Sequence, residues 1–508
     1  MSRTKSSWAY QDAPLEKNYL WSLAVTILPV VASFFVSWII ARWAGPQVIG
    51  AVSWAMAFAT AMLIIGKFGM ELAASKLASE YGVSKPHLLR TLFTTSFVIR
   101  VITTLIVALI ALIFAHQIAV FFKEPGLVRP VRAASIVIIC ASLYEFMEHF
   151  IIGLNRFHVV YQVRSVNLLL RVILTAIIVF GGWGAVEILC GYCGAWFVAI
   201  AVYIVLLMKY LPSERPGESR RPIAKRLLLL GIPLAASSAS VTIFSQIDRL
   251  MIGFFHDMRE VGQYTIARNV TEVSLFPAFA IIMTLRPALA SRFSAGKIVE
   301  CAAILQRTFL SAMVFGIYFA SIFAVFALPL FTLVYSDEFR YAGGLMAVFI
   351  WVIVLRSLGS IMLPALIAAE KTKFYAYLTA FAAGTNFLLN WLLIPVLRSK
   401  GAVIATIISY TFLLIFGLNK ILRIYNIHIG IREVTLLART LLAGGVAVGL
   451  FWFIFWRFGK TQAGSSHLFT LIMVALQSLT YFVLVSIFRI VKPSQIREMF
   501  ANLRKTSS

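Results

Sequence analysis

Apolar residues run along this chain in blocks of about 20 or more, and short stretches between the blocks carry most of the charges. A block of that length crosses the ~30 Å hydrocarbon core of a bilayer as a helix, whereas a soluble surface helix needs only one apolar stripe. Fourteen blocks are expected to span, near residues 19–42, 48–70, 91–115, 131–152, 164–182, 185–208, 227–254, 262–284, 304–328, 342–367, 374–396, 401–422, 435–457 and 468–489. The pattern predicts an all-α polytopic membrane protein. The first block is too long for a signal-peptide core and has no small-residue cleavage site, so it reads as a retained span. Pro29, Pro233, Pro277 and Pro364 fall inside spans and are expected to bend or unwind them, because proline removes a ladder donor.

Composition agrees: 61% of the residues are hydrophobic, 13% are charged, and the mean hydropathy is +0.90. A soluble globular chain carries roughly 25% charged residues. The net charge of +25 raises the question of a nucleic-acid partner. The basic residues are one-sided, however. The N-terminus, every second loop and the C-terminal tail hold about 29 of the 45 Lys and Arg, the opposite loops about 10, and the spans the rest, which the positive-inside rule explains. That asymmetry places both termini in the cytoplasm and leaves no need for nucleic acid. The longest opposite-side loops, near 116–130 and 329–341, are too short to fold alone, which argues against a membrane enzyme with an external catalytic domain. Cys190 and Cys193 form a C-x-x-C inside a span with no second ligand pair, so all four cysteines read as small apolar residues.

The chain also resembles itself. Gly50 in "VIGAVSWA" is followed 27 positions later by Leu77-Ala78-Ser79, and Gly262 in "EVGQYTIA" is followed 27 positions later by Leu289-Ala290-Ser291. Phe157 precedes Gly184-Ala185-Val186 by 27 positions, and Phe374 precedes Gly401-Ala402-Val403 by 27. Offsets of 212 and 217 residues define a repeat of six helices. Six is even, so both copies enter the membrane in one sense, as in parallel-repeat transporters that work by alternating access. The expected organisation is an N-terminal lobe at 1–208, a basic linker at 209–226, a C-terminal lobe at 227–424, and two extra spans with a tail at 425–508.

Ionisable residues at bilayer depth are costly and mark function. The arginines are Arg100, Arg164, Arg171, Arg249, Arg268 and Arg356; the acids are Glu145, Glu148, Asp248 and Glu272. Arg268 and Glu272 are four apart and share a helix face. Glu145, Glu148 and His149 share another, and the four acids are the candidates for coupling to a proton or sodium ion. Arg100 and Arg356 have no acid nearby in their own helix and read as unpaired; pairing with Glu145 across helices is the structural alternative. A guanidinium fork matches phosphate oxygens, so the arginine excess favours an anionic cargo held in a cationic cavity. Asn386 and Asn390 could line the same cavity or join helices.

Three stretches carry a family resemblance. "ARWAGPQVIGAVSWAMAF" at 41–58, "KFGMELAASKLASEYG" at 67–82 and "IPLAASSASVTIFSQIDRLMIGFFHDMREVGQYTIARNV" at 232–270 resemble bacterial polysaccharide and oligosaccharide-lipid flippases. These belong to the multidrug/oligosaccharidyl-lipid/polysaccharide exporter (MOP) superfamily, and the similarity extends to about residue 425. The resemblance implies two six-helix lobes and no enzymatic activity. It implies a polyprenyl-pyrophosphate-linked oligosaccharide as cargo, the bacterial inner membrane as location, and no cofactor beyond a coupling ion. Membrane lipids and a polysaccharide polymerase machinery are the implied partners. It also puts Asp248 and Arg249 at the outer mouth of the second lobe, where they fix the seventh span or meet departing cargo. A peptidoglycan-precursor flippase and a multidrug exporter are the competing readings of the same fold, and the arginine excess disfavours the second.

Overall fold

The computed structural model describes residues 15–211, 220–275, 285–286, 288–428, 430–458 and 467–490. Among the described residues every regular element is helical. Eleven helical segments among these residues are long and apolar enough to cross a membrane. The first of these, Leu28–Lys67, has 40 residues. At 1.5 Å per residue it would measure about 60 Å if straight, twice the hydrocarbon thickness. It is not straight. Helix α1 (Leu15–Lys67) leaves helical geometry at Gly45, with φ 82° and ψ 177°, a conformation open to glycine. The two arms match the expected first and second spans.

The second arm ends at Phe68 and Gly69, both at positive φ, and α2 (Met70–Ser84) starts in a new direction. Helices α3 (Leu89–Ile113), α4 (Ala115–Phe121), α5 (Val128–Gly153), α6 (Phe157–Phe180) and α7 (Ala185–Tyr210) follow. The expected seventh and eighth spans fall on α8 (Arg220–Phe255) and α9 (Met258–Ser274). Residues 276–284 of the eighth, with Pro277, lie outside the described residues, as do 212–219 of the expected linker. Then come α10 (Ile298–Val334), α11 (Arg340–Gly359), α12 (Met362–Ala368), α13 (Thr372–Leu397), α14 (Ser399–Ile424), α15 (Ile431–Phe458) and α16 (His467–Ile487). The expected tenth span is therefore two helices. It breaks at Ser360 and Ile361, three residues before Pro364. Pro364 has no N–H to bond back to the Ser360 carbonyl, so the ladder stops there.

The exposed faces are apolar. Along α3, Ile102, Ile106, Leu109 and Ile113 recur at helical spacing and are each more than half exposed. Water would not tolerate such a stripe repeated on helix after helix; lipid would.

Packing divides the chain into two compact units, Met1–Thr265 and Ile266–Ser508. In the first, α8 packs along α1 and α2. The closest approach joins the two glycines that begin the sequence repeats. A Cβ built on Gly50 would overlap the Met258 carbonyl oxygen and lie 3.0 Å from the Gly262 nitrogen; one built on Gly262 would overlap the Pro46 carbonyl oxygen. Pro46 stands four residues before Gly50, and Met258 four before Gly262, so the contact is reciprocal and backbone meets backbone. Beside it, Arg226 donates to Glu80 Oε1 at 2.8 Å and to the Tyr81 hydroxyl at 3.2 Å, tying the start of α8 to α2. The Tyr81 and Glu80 acceptors hold the Arg226 guanidinium above its usual value.

In the second unit one core gathers Leu305, Met362, Leu378 and Ile421 from α10, α12, α13 and α14. The other sits where α15 and α16 dock on α10, around Ile317, Ala443, Ala447 and Tyr481. Polar bonds pin this docking, as suits helices that meet in lipid. Gln477 Nε2 donates to the Ser321 carbonyl at 2.9 Å, Tyr481 Oη to the Val314 carbonyl at 2.8 Å, and Tyr318 Oη to Ser478 Oγ at 2.9 Å.

Candidate functional site

The intramembrane arginines are not bare. Arg100, on α3, is fully buried and pairs with Glu71 at 3.5 Å, the acid in the first turn of α2. Lys67, the last residue of α1, takes Glu145 of α5. The break at Phe68 and Gly69 thus sets Lys67 and Glu71 on successive helices beside two further charges. The expectation that Arg100 is unpaired is corrected, and its bonded partner is Glu71, with Glu145 within electrostatic reach. Arg100 Nε and Nη2 remain without a hydrogen-bond acceptor.

Glu145, Glu148 and His149 share a face of α5 as the spacing requires, but their partners differ. Glu148 accepts from Arg164 Nε at 3.1 Å and from the Tyr144 hydroxyl at 2.6 Å, and is almost fully buried. The His149 ring bonds the Glu145 carbonyl. A single three-residue ion site is not what the structure builds. Arg171 lies over the rings of Tyr192 at 4.2 Å and Trp196 at 5.1 Å, which secures a guanidinium by cation–π attraction. Asp248 is buried and accepts from the Tyr264 hydroxyl at 2.5 Å, while Arg249 donates to Gln246 at 3.0 Å. The pair in α8 therefore binds its own hairpin.

The second unit holds a partly open cationic group. Arg356 on α11 forks onto Glu272 of α9, Nη1 to Oε1 at 2.5 Å and Nη2 to Oε2 at 3.0 Å. Arg268, one turn before Glu272, reaches the same Oε1 at 3.9 Å. Arg356 also lies 5.8 Å from the ring centre of Tyr410 on α14. Arg356 likewise loses its unpaired reading. Two guanidiniums share one carboxylate, so this trio carries a net positive charge. Its members are 15% (Arg268), 28% (Glu272) and 21% (Arg356) exposed, against none for Arg100.

Asn386 and Asn390 are fully buried. Asn390 donates to Asn386 at 3.0 Å, and Asn386 to Thr406 at 3.4 Å. They join α13 to α14 and do not present a surface to a cavity. Among the described residues no group of three or more His, Cys, Asp or Glu is arranged to hold a metal ion. Cys193 and Cys301 are buried as expected of small apolar residues, whereas Cys190 is exposed.

The chain's ancestry follows from residues 15–293, more than half its length, which match the family model described as polysaccharide biosynthesis protein. The chain belongs to that family. Residues 233–392 also match the MatE family model, and the protein is accordingly a multi-pass membrane transporter of the MOP superfamily. A relative from Methanocaldococcus jannaschii, an uncharacterized membrane protein, is 20% identical over 72% of this chain and 76% of its own length. A Haloferax volcanii protein named as a probable low-salt glycan biosynthesis flippase is 24% identical over 34% of this chain and 37% of its own. The fold is shared with the lipid II flippase MurJ in an inward closed conformation, at TM-score 0.74, 14% identity, 92% of this chain and 98% of that one. It is shared also with an inward-facing multidrug transporter of the MATE family, at TM-score 0.60, 16% identity, 81% of this chain and 96% of that one.

Proposed function

We propose that this protein flips a polyprenyl-pyrophosphate-linked oligosaccharide across a bacterial cytoplasmic membrane for the synthesis of cell-surface polysaccharide. The observation that carries the reading is the net-positive trio of Arg268, Glu272 and Arg356, partly open and built on a fork that suits phosphate oxygens. Family membership supports a saccharide cargo, and the name of the Haloferax volcanii relative points the same way. Lys67 and Glu145, 22% and 39% exposed, are further accessible charges, and Glu145 is the acid best placed to couple an ion. On this reading both termini lie in the cytoplasm and the cycle is one of alternating access.

A peptidoglycan precursor is the second reading, favoured by the fold shared with MurJ. Both cargoes carry pyrophosphate, so the test must vary the sugar. Proteoliposomes holding the full chain are to be assayed with fluorescent undecaprenyl-pyrophosphate oligosaccharide and with lipid II, each measured by accessibility to a membrane-impermeant quencher. Flipping of the first alone supports the proposal, and flipping of lipid II alone replaces it. Arg356→Ala is expected to weaken cargo binding roughly ten- to a hundredfold, the equivalent of a lost charge-assisted hydrogen bond. Wild-type flipping by both Arg268→Ala and Arg356→Ala would remove the arginines from the cargo site.

A further inference from the structure

Glu272 does more than neutralise. Its two oxygens take both terminal nitrogens of Arg356, the same pair of donors that a phosphate would occupy. Arg268 Nε lies 3.9 Å from one of those oxygens, so the carboxylate stands between two guanidiniums. The trio is therefore charged like an anion site already filled by an anion of the chain's own. We propose that Glu272 is an internal competitor for the anionic group of the cargo: it occupies the arginine fork in the empty protein and is displaced when cargo binds, setting which anions can bind. This rests on the reading that the arginines hold the cargo.

Two consequences separate a competitor from a mere positioning acid. Displacing a forked carboxylate costs the charge-assisted bonds it makes, so only an anion that supplies more charge and at least two oxygens replaces them. Pyrophosphate satisfies that condition; acetate, no better than Glu272 itself, does not. The second consequence concerns release. A carboxylate tethered one helical turn from Arg268 stands ready to take the fork back, which lowers the barrier to losing cargo. An acid that only orients the arginines would behave oppositely, because its loss would loosen the fork and weaken every anion.

The test uses the full-length protein in nanodiscs, with inorganic pyrophosphate and acetate as probes in titration calorimetry. Glu272→Gln preserves shape and removes the competing charge. It is expected to bind pyrophosphate about tenfold more tightly than wild type, the low end of the cost of a charge-assisted bond, and to gain measurable acetate binding. In the flipping assay KM and maximal rate are expected to fall together, since cargo held more tightly leaves more slowly. Glu272→Asp keeps the charge but shortens the reach, and should tighten pyrophosphate by less; it carries the test if the glutamine variant does not fold. Unchanged or weaker pyrophosphate binding in the folded variant overturns the proposal. If Arg268→Ala and Arg356→Ala leave pyrophosphate binding intact, the arginine site itself falls. If they abolish it while the Glu272 variants are neutral, only the competitor role falls.

Discussion

Neutralising Arg100 and Glu71 one at a time and then together gives an ordered set of stabilities that the geometry fixes in advance. Arg100 is fully buried and the Glu71 side chain is 8% exposed, so neither survivor of a single substitution can turn to water. Breaking a buried pair by removing one partner costs roughly 3–5 kcal/mol, because the remaining charge is left unpaired. The two single variants should not be equal. Arg100→Gln leaves Glu71 and Glu145 facing Lys67 as their one cation in this group, whereas Glu71→Gln leaves Arg100 within reach of Glu145. Arg100→Gln is therefore the more damaging.

The double variant removes both charges, and two amides can hydrogen-bond to each other. It is expected to lie within about 1–2 kcal/mol of wild type, since replacing a whole buried pair is close to neutral. The assay is thermal unfolding of the detergent-solubilised chain, read by the fraction remaining monodisperse on size exclusion, with flipping measured alongside. A double variant as unstable as Arg100→Gln would refute the pairing. A double variant that is both stable and fully active would refute any role for Arg100 in holding cargo.

Gly50→Ala should unfold at markedly lower temperature than wild type, because overpacking costs about 1–3 kcal/mol or more against a helix-propensity gain below about 1 kcal/mol. Gly384→Ala, on α13 with nothing within 4 Å of its added Cβ, should instead be neutral or stabilising; the same melting measurement decides both. Glu80→Ala breaks a bridge to Arg226 that is more than two-fifths exposed on each side, so stability should fall by less than about 1 kcal/mol, and the swap Glu80→Arg with Arg226→Glu should recover it. Single cysteines at residue 215 and in the C-terminal tail, in a chain cleared of its native cysteines, should resist an impermeant maleimide in intact cells, while one at residue 335 should react; labelling at 215 would overturn the orientation.

How much was legible in the sequence depended on range. Apolar run length placed the helices among the described residues because a bilayer demands about 20 residues, although α6 and α8 begin seven residues before the expected spans. The break after Lys67 was not legible from run length, since Phe68 and Gly69 are apolar and small and leave the hydropathy unbroken; positive φ ends the helix there, not polarity. That break hid Glu71, which lies beyond the second span by sequence yet is the partner of Arg100. Arg356 read as unpaired for a related reason: its acid is 84 residues away, and spacing arguments see only three or four. By contrast the Arg268 and Glu272 contact, four residues apart, was readable at once. The repeat was legible as two matching glycines, but their meeting in space was not.

Pairing Arg100, Arg164, Arg356 and Lys67 with carboxylates solves a problem that a bare cationic cavity would create. Isolated guanidiniums at bilayer depth cost several kcal/mol each, so a lobe with Arg100, Arg164 and Lys67 unpaired would be hard to insert and hard to fold. Carboxylates on neighbouring helices remove most of that cost, and burial then sorts the pairs by use. Where the acid is sealed, as Glu148 is beneath Arg164 and Tyr144, exchange with a ligand is closed off and the pair serves packing. Where both partners are a fifth or more exposed, as at Glu272 and Arg356, the same chemistry is open to an incoming anion. A transporter needs the second kind to be weak as well as selective, because cargo bound too firmly would not be released on the far side. A phosphate that must evict Glu272 gains only the difference between two forked ion pairs, which selects for its extra charge and oxygens while keeping its departure fast.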